Sequence, residues 1–210
     1  MRSLLIAFFV LLVIVVAPML LAAPVYSVTL TNWANSPNSA IRVGDKLFTL
    51  ISTDFNGANN VQMSAYNPTL YALSLQPVSP YNQLNNTTKH LTYKVTIVDD
   101  PATLGNEALL NFFNRVSWDG NRYIASGSFT VTGVFDDNAD FSSPLFTISN
   151  SATPSGLYVV PGLVQALFVR LTYTATGITL LTSHTITYEQ KVDTIPVEDT
   201  SWGQIKELYR

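Results

Sequence analysis

The sequence predicts an all-β protein: a single antiparallel β-sandwich, jelly-roll or Ig-like, with a short helix at the C-terminus. Three observations predict it. Short runs rich in Val, Ile, Leu, Thr and Tyr recur at close spacing, separated by clusters of Asn, Gly, Pro and Ser. The clearest run, residues 90–98, puts Leu91, Tyr93, Val95 and Ile97 on one face and Thr92, Lys94 and Thr96 on the other, the period-two pattern of a half-buried strand. Charged residues are only 12% of the chain while aromatics are 11%, so the polarity comes from Ser, Thr and Asn and the composition is not that of a disordered chain.

The elements follow in order. Residues 25–31 read as a first strand, and a polar loop covers residues 32–39. Strands at 41–43 and 46–53 flank a Gly44-Asp45 turn, and Asn56-Gly57 marks another. Runs at 61–66 and 69–76 break at Asn67-Pro68. A loop bearing Pro and Asn is expected over 77–89. The strand at 90–98 stops at Asp99-Asp100-Pro101, because proline cannot donate to a ladder. Residues 104–108 suggest a short helix, followed by a strand to Trp118. Asp119-Gly120 is a two-residue hairpin signal, after which residues 122–135 return as one long strand with Gly127 and Gly133 as bulge positions. Strands at 145–148, 157–160, 166–175 and 178–190 complete the set, with Thr176-Gly177 as the last hairpin. No repeat of fixed period is present.

The start of the chain reads as a targeting signal. Met1-Arg2-Ser3, an apolar run from Leu4 to Ala17, then Pro18 and Ala22-Ala23 have the three parts of a secretory signal peptide. Cleavage after Ala22 or Ala23 would leave a β domain at 24–192 and a tail at 193–210. The alternative is an uncleaved anchor, since residues 4–23 are about as long as a bilayer span. Either reading exports the rest, to the cell surface, the medium or the periplasm. No Cys follows the apolar run, which excludes a lipid-anchored lipoprotein.

In the tail, Ser201 and Gln204 make a capping-box pair, and Trp202, Ile205, Leu208 and Tyr209 recur at helical spacing beside Lys206. So short a helix is not stable alone in water and must dock. It would dock on its own domain, or on a partner: a sorting component, a surface receptor or a second copy of the chain.

Residues 91–98, 136–145 and 167–190, with the exported start, resemble β-rich exported bacterial proteins of the type that bears a PEP-CTERM anchor. The anchor itself is absent here: there is no Pro-Glu-Pro, terminal apolar helix or closing Arg cluster. The closing Trp202-Gly203-Gln204-Ile205-Lys206 is similar to short Trp-Gly-x-(Ile/Val)-Lys tails on some exported bacterial proteins. The resemblance implies a secreted or surface protein and assigns no activity.

Composition excludes several chemistries. The formal net charge is −3 with no basic tract, which argues against nucleic acid. With no cysteine there is no thiol catalysis, iron–sulfur cluster or cysteine zinc site, and two histidines are too few for a zinc site by themselves. No Gly-x-Ser-x-Gly elbow occurs, and the neighbours Ser183 and His184 would point to opposite faces of a strand.

Three candidate sites remain. Asp136, Asn138 and Asp140 place oxygens at alternate positions, as a calcium loop does, although the sixth position is Phe141 and the twelfth Thr147. Trp33 and Trp118 are candidates for stacking on a carbohydrate, against the alternative that Trp118, with Tyr93, Tyr123 and Tyr173, is core or cross-strand packing. A glycoside hydrolase would need two carboxylates from Asp99, Asp100, Glu107, Asp119 and Glu189, most of which sit where turns favour Asp. The overlapping sequons in Asn85-Asn86-Thr87-Thr88 mark an exposed polar segment. The expectation is therefore a non-enzymatic structural or adhesion protein, membrane-bound only if its signal is retained. A carbohydrate-binding module comes second and a glycoside hydrolase third.

Overall fold

The structure is a computed structural model that describes residues 25–67, 69–76, 82–102, 106–150 and 156–192. The expected signal at 1–23 and the expected tail at 193–210, with its helix, lie outside the described residues.

The chain is an antiparallel β protein, as the alternation predicts. The strands are β1 (Val25–Thr29), β2 (Ala40–Val43), β3 (Lys46–Thr53), β4 (Asn60–Asn67), β5 (Leu70–Gln76), β6 (Asn82–Ile97), β7 (Asn111–Ala125), β8 (Ser128–Asp136), β9 (Phe146–Asn150), β10 (Gly156–Val159) and β11 (Ala166–Val192). Among the described residues two short α-helices, α1 (Leu30–Ala34) and α2 (Glu107–Leu110), and a 3-10 helix (Pro37–Ser39) interrupt them. Among the described residues no helix is long and apolar enough to cross a membrane.

All eleven strands of the described residues belong to one hydrogen-bonded sheet, and β11 organises it. Its first half lies between β6 and β8, and its second half between β5 and β7. Outward from the first half run β6, β3 and β2 on one side and β8 and β9 on the other. Outward from the second half run β5, β4 and β1 on one side and β7 and β10 on the other.

The sheet folds over along β11, because Tyr173 in its first half meets His184 in its second, with 2.7 Å between the phenol oxygen and Nδ1. Eleven residues of straight strand would hold them about 36 Å apart. The bend is at Thr176-Gly177, where Gly177 takes a φ of +77° and the register with β6 shifts between Ala175 and Ile178. Further shifts between Leu181 and Thr185 change the parity of the strand. Leu167, Val169, Leu171, Tyr173 and Ala175 are buried before the bend; His184, Ile186, Tyr188 and Gln190 are buried after it. An inserted residue exchanges the two faces of a strand, and here that keeps both halves turned to one interior.

Large side chains from both lobes fill that interior. Trp33, Phe48, Tyr93, Phe113, Trp118, Phe129, Phe135, Tyr173 and Tyr188 are all fully buried. Phe48 of β3 packs edge-on against Tyr188 of β11, and Phe146 of β9 stacks on Tyr158 of β10. Each fully buried large apolar side chain contributes roughly 1.5–3 kcal/mol.

Four local expectations are corrected. The first strand ends at Thr29, whose hydroxyl accepts from the Asn32 N–H at 3.1 Å and caps α1, so Leu30 and Trp33 turn into the core. The loop expected at 77–89 is strand from Asn82, because its polar residues pair with β11. Asp119-Gly120 is not a hairpin: β7 continues along β11 to Ala125 and the chain turns at Ser126-Gly127. Nor does Thr176-Gly177 reverse the chain, since β11 pairs with β6 in one direction on both sides of it. The helix expected at 104–108 is seen as α2, slightly later.

Candidate functional site

The hairpin between β2 and β3 turns on Gly44 and Asp45, with Val43 opposite Lys46. Gly44 has a φ of +58°, and a Cβ there would stand 3.1 Å from the Tyr71 hydroxyl and 3.3 Å from its ring. Glycine is therefore needed twice, for the turn and for the approach of Tyr71. The Val98 N–H donates to the Asp45 carbonyl at 2.8 Å and ties the turn to the end of β6.

Period two then decides where Lys46 points. It shares a face of β3 with Phe48 and Leu50, so the fold drives it inward with them, and it is 0% exposed. Gln190 sits in the equivalent row of β11, beyond Tyr188, and its N–H donates to the Thr69 carbonyl at 2.9 Å.

These residues, from opposite ends of the folded chain, form a closed ring. Lys46 Nζ donates to Asp45 Oδ1 at 2.7 Å and to Gln190 Oε1, and Gln190 Nε2 donates to Asp45 Oδ2 at 2.6 Å. Tyr71 adds its phenol to Asp45. The ammonium also lies 4.2 Å from the centre of the Tyr71 ring and 5.8 Å from that of Phe113.

Burial of an ion pair carries a desolvation cost that attraction only partly offsets. Accordingly, burial pulls the Lys46 amine down to about 8, against the opposing attraction of Asp45 and of Glu107. Burial and the hydrogen bond to Asp45 push the Tyr71 phenol well up. The arrangement holds an amine of lowered basicity against a carboxamide, with one carboxylate bridging both nitrogens. Those are a nucleophile, an acyl group and a proton carrier.

Sequence reasoning missed this cluster, although a signal was present: a lysine and a glutamine occur in rows that are otherwise inward-facing.

A second polar group lies deeper. Tyr93 and Tyr188 join their hydroxyls across the interior, and both phenols are raised, chiefly by burial. His184 meets Tyr173 and packs against Trp118 with 4.3 Å between ring centres. Burial pulls its imidazole down to about 3, so it is neutral in the folded protein.

The sites expected from sequence fare differently. Trp33 and Trp118 are 0% exposed, which corrects their reading as stacking platforms. Trp33 donates from Nε1 to the Phe48 carbonyl at 3.2 Å, and Trp118 fills the space that Gly133 leaves. They are core residues, as are Tyr93 and Tyr173, and offer no face to a sugar.

Asp136 is buried at the end of β8 and its Oδ1 accepts from the Asn138 N–H at 3.1 Å, whereas Asp140 is exposed and accepts from the Ser142 N–H at 3.0 Å. That bond holds the Asp140 carboxyl below its usual range. The Asn138 side chain turns to Asp137 instead, at 2.6 Å. Asp136 Oδ1 and Asp140 Oδ1 thus each close a local turn, Asp136 Oδ2 is buried without a hydrogen-bond partner, and no three acidic or histidine side chains gather around a common point among the described residues.

The side chain of Asp119 lies outside what the structure describes, and the other four candidate carboxylates of a hydrolase have local partners. Asp99 accepts from the Ala108 N–H, Asp100 from the Ala102 N–H and Glu107 from the Asp100 N–H, while Glu189 lies 3.8 Å from Arg115. Trp202, Ile205, Lys206, Leu208 and Tyr209 lie outside the described residues.

No protein-family model matches the chain, and no curated protein matches it. Two solved structures are similar over most of its length. One is a glycosylation-associated protein complex from Streptococcus agalactiae, 13% identical, covering 71% of this chain and 25% of that one with a TM-score of 0.29. The other is the enzymatically active domain of bacteriophage CBA120 tailspike protein 4, 9% identical, covering 81% and 19% with a TM-score of 0.24. The chain spans about a quarter and a fifth of their lengths.

Proposed function

We propose that the chain is an exported, non-enzymatic structural or adhesion module, secreted or held at the cell surface, with its folded-over sheet of the jelly-roll or Ig-like sandwich kind. One observation carries this reading: three pairs of interior polar side chains bond to each other, two between strands far apart in sequence and one across the bend of β11. Lys46 with Gln190, Tyr93 with Tyr188 and Tyr173 with His184 serve as ties between parts of the sheet. The signal-like residues 1–23 and the low charge support export. In this reading the tail, through Trp202, Ile205, Lys206, Leu208 and Tyr209, docks on a sorting component, a surface receptor or a second copy.

Fractionation of cells making the full chain, and a chain lacking residues 196–210, tests both parts. The full chain is expected in the surface or medium fraction, and the shortened chain is expected to shift from the surface to the medium. Recovery of both in the cytoplasm would overturn export; identical distribution outside the cell would remove the role of the tail.

A further inference from the structure

We infer that Lys46 and Gln190 become covalently joined: the lysine amine replaces the ammonia of the glutamine side-chain amide, with Asp45 carrying the proton, to leave an isopeptide bond between β3 and β11. The geometry supplies each participant. Lys46 Nζ already touches Gln190 Oε1, one bond from the carbon it would attack. Asp45 holds the attacking nitrogen through Oδ1 and the departing nitrogen through Oδ2. No other described lysine is both fully buried and in contact with a side-chain carboxamide.

The step balances within these three residues. The neutral amine adds its lone pair to Gln190 Cδ, and negative charge gathers on Oε1. Asp45 takes a proton from the nitrogen that has attacked. The carbonyl re-forms, the bond from Cδ to Nε2 breaks, and Asp45 returns a proton to Nε2 as it leaves. One C–N bond forms, one breaks, and ammonia is released. No oxidant, metal or cofactor takes part.

The surroundings favour the step. A lysine must be neutral to attack, and an ordinary one is almost wholly protonated at neutral pH. Burial pulls this amine to about 8, so roughly a tenth of it is neutral at pH 7. Tyr71 and Phe113 stand against the amine, and the site is closed to solvent, which keeps water from competing for the carbonyl. Three fixed partners replace a chance encounter in solution. Counted from the ammonium form, the proton that Lys46 gives up leaves with the ammonia as ammonium, and Asp45 loses its buried counter-ion and keeps the Tyr71 phenol. The bond would link the start of β3 to the end of β11, residues 144 apart in sequence. It depends only on these residues, whether or not the chain is exported.

The test is mass spectrometry on the folded full-length chain. The intact mass, read against the N-terminus found by sequencing, is expected to fall short of the sequence by one ammonia. Digestion is expected to give one branched peptide carrying both Lys46 and Gln190. Lys46→Arg and Asp45→Asn are expected to keep the ammonia while retaining the far-ultraviolet circular dichroism of a β protein. Two results would overturn the inference. One is a wild-type chain of full mass whose Lys46 amine is still free after incubation at mildly alkaline pH. The other is an ammonia loss that maps to Asn56-Gly57 as a cyclic imide. Should a variant fail to fold, the wild-type mass and peptide map decide without it.

Discussion

At the scale of single residues, the interior combines groups that must stay neutral with contacts that allow no added atom. His184 illustrates the first. Its imidazole is held at about 3, against 6.5 in an open chain, because burial disfavours the cation. Between those two values the unfolded chain binds more protons than the folded one. His184 therefore leaves stability untouched above pH 6.5 and removes it progressively as pH falls toward 3, by up to about 5 kcal/mol. His184→Gln, which still has an acceptor for Tyr173, is expected to lose less stability than wild type between pH 7 and 4 in urea titrations. Equal losses would show that other groups govern the acid response. Gly133 illustrates the second. A Cβ there would meet Trp118 Cζ3 at 2.6 Å and Phe135 Cε2 at 3.0 Å, whereas one on Gly162 would meet nothing within 4 Å. Gly133→Ala is expected to cost about 1–3 kcal/mol through overpacking. Gly162→Ala is expected to cost only the backbone strain of its positive φ, about 1 kcal/mol. Thermal melts of the pair separate steric from conformational effects.

At the scale of elements, the bend in β11 governs the fold, and three segments meet to hold it. The Ser126 N–H donates to the Ile178 carbonyl at 2.9 Å, the Ser128 N–H to Thr176 Oγ1 at 3.1 Å, and the Gly177 N–H to Asn86 Oδ1 at 2.7 Å. At Gly127 a Cβ would fall 1.7 Å from the Thr176 carbonyl oxygen, a backbone atom that cannot rotate away. Gly127→Ala is therefore expected to pry the β7–β8 turn from the bend and to cost about 3 kcal/mol. The check is a larger drop in melting temperature than Gly133→Ala gives, where the obstacle is a side chain.

The same elements show what was legible beforehand. The bounds of β3 follow from its alternation and its Gly44-Asp45 turn, both local signals. The signal at Asp119-Gly120 is equally local, but pairing of β7 with β11 overrides it, and a partner far along the chain leaves no mark in a short window. Residues 82–89 read as loop for the same reason, since their Asn and Thr gain strand bonds only once β11 lies beside them. Trp33 and Trp118 looked available because they stand near turn residues; the cap on Thr29 and the missing side chain at Gly133 turn them inward. The cluster at Lys46 was half legible. Its row on β3 predicts burial, but nothing near it in sequence names Gln190.

At the scale of the whole molecule, the question is what a tie between the first third and the last strand changes. Most of the folded contacts join residues far apart, so the unfolded chain must close long loops before they form. A bond between Lys46 and Gln190 closes one such loop permanently, enclosing nearly all of the domain. It acts on the unfolded state: a cross-linked chain cannot expand fully, and by chain entropy a loop of this size is worth roughly 5 kcal/mol. Stability alone is a poor probe of that effect, because Lys46→Arg also alters the packing around Asp45 and Tyr71. The denaturant slope is a better one, since it reports the surface exposed on unfolding and hence the compactness of the unfolded chain. Guanidinium titrations are expected to give a steeper slope for Lys46→Arg than for wild type, because the variant unfolds to an open chain. Gln190→Ala, which removes the other end of the bond, is expected to steepen the slope equally. If the wild-type slope is already that of the two variants, the unfolded chain is open in all three and carries no tie. A slope that changes in one variant only would trace to local packing at that residue, because both substitutions open the same loop.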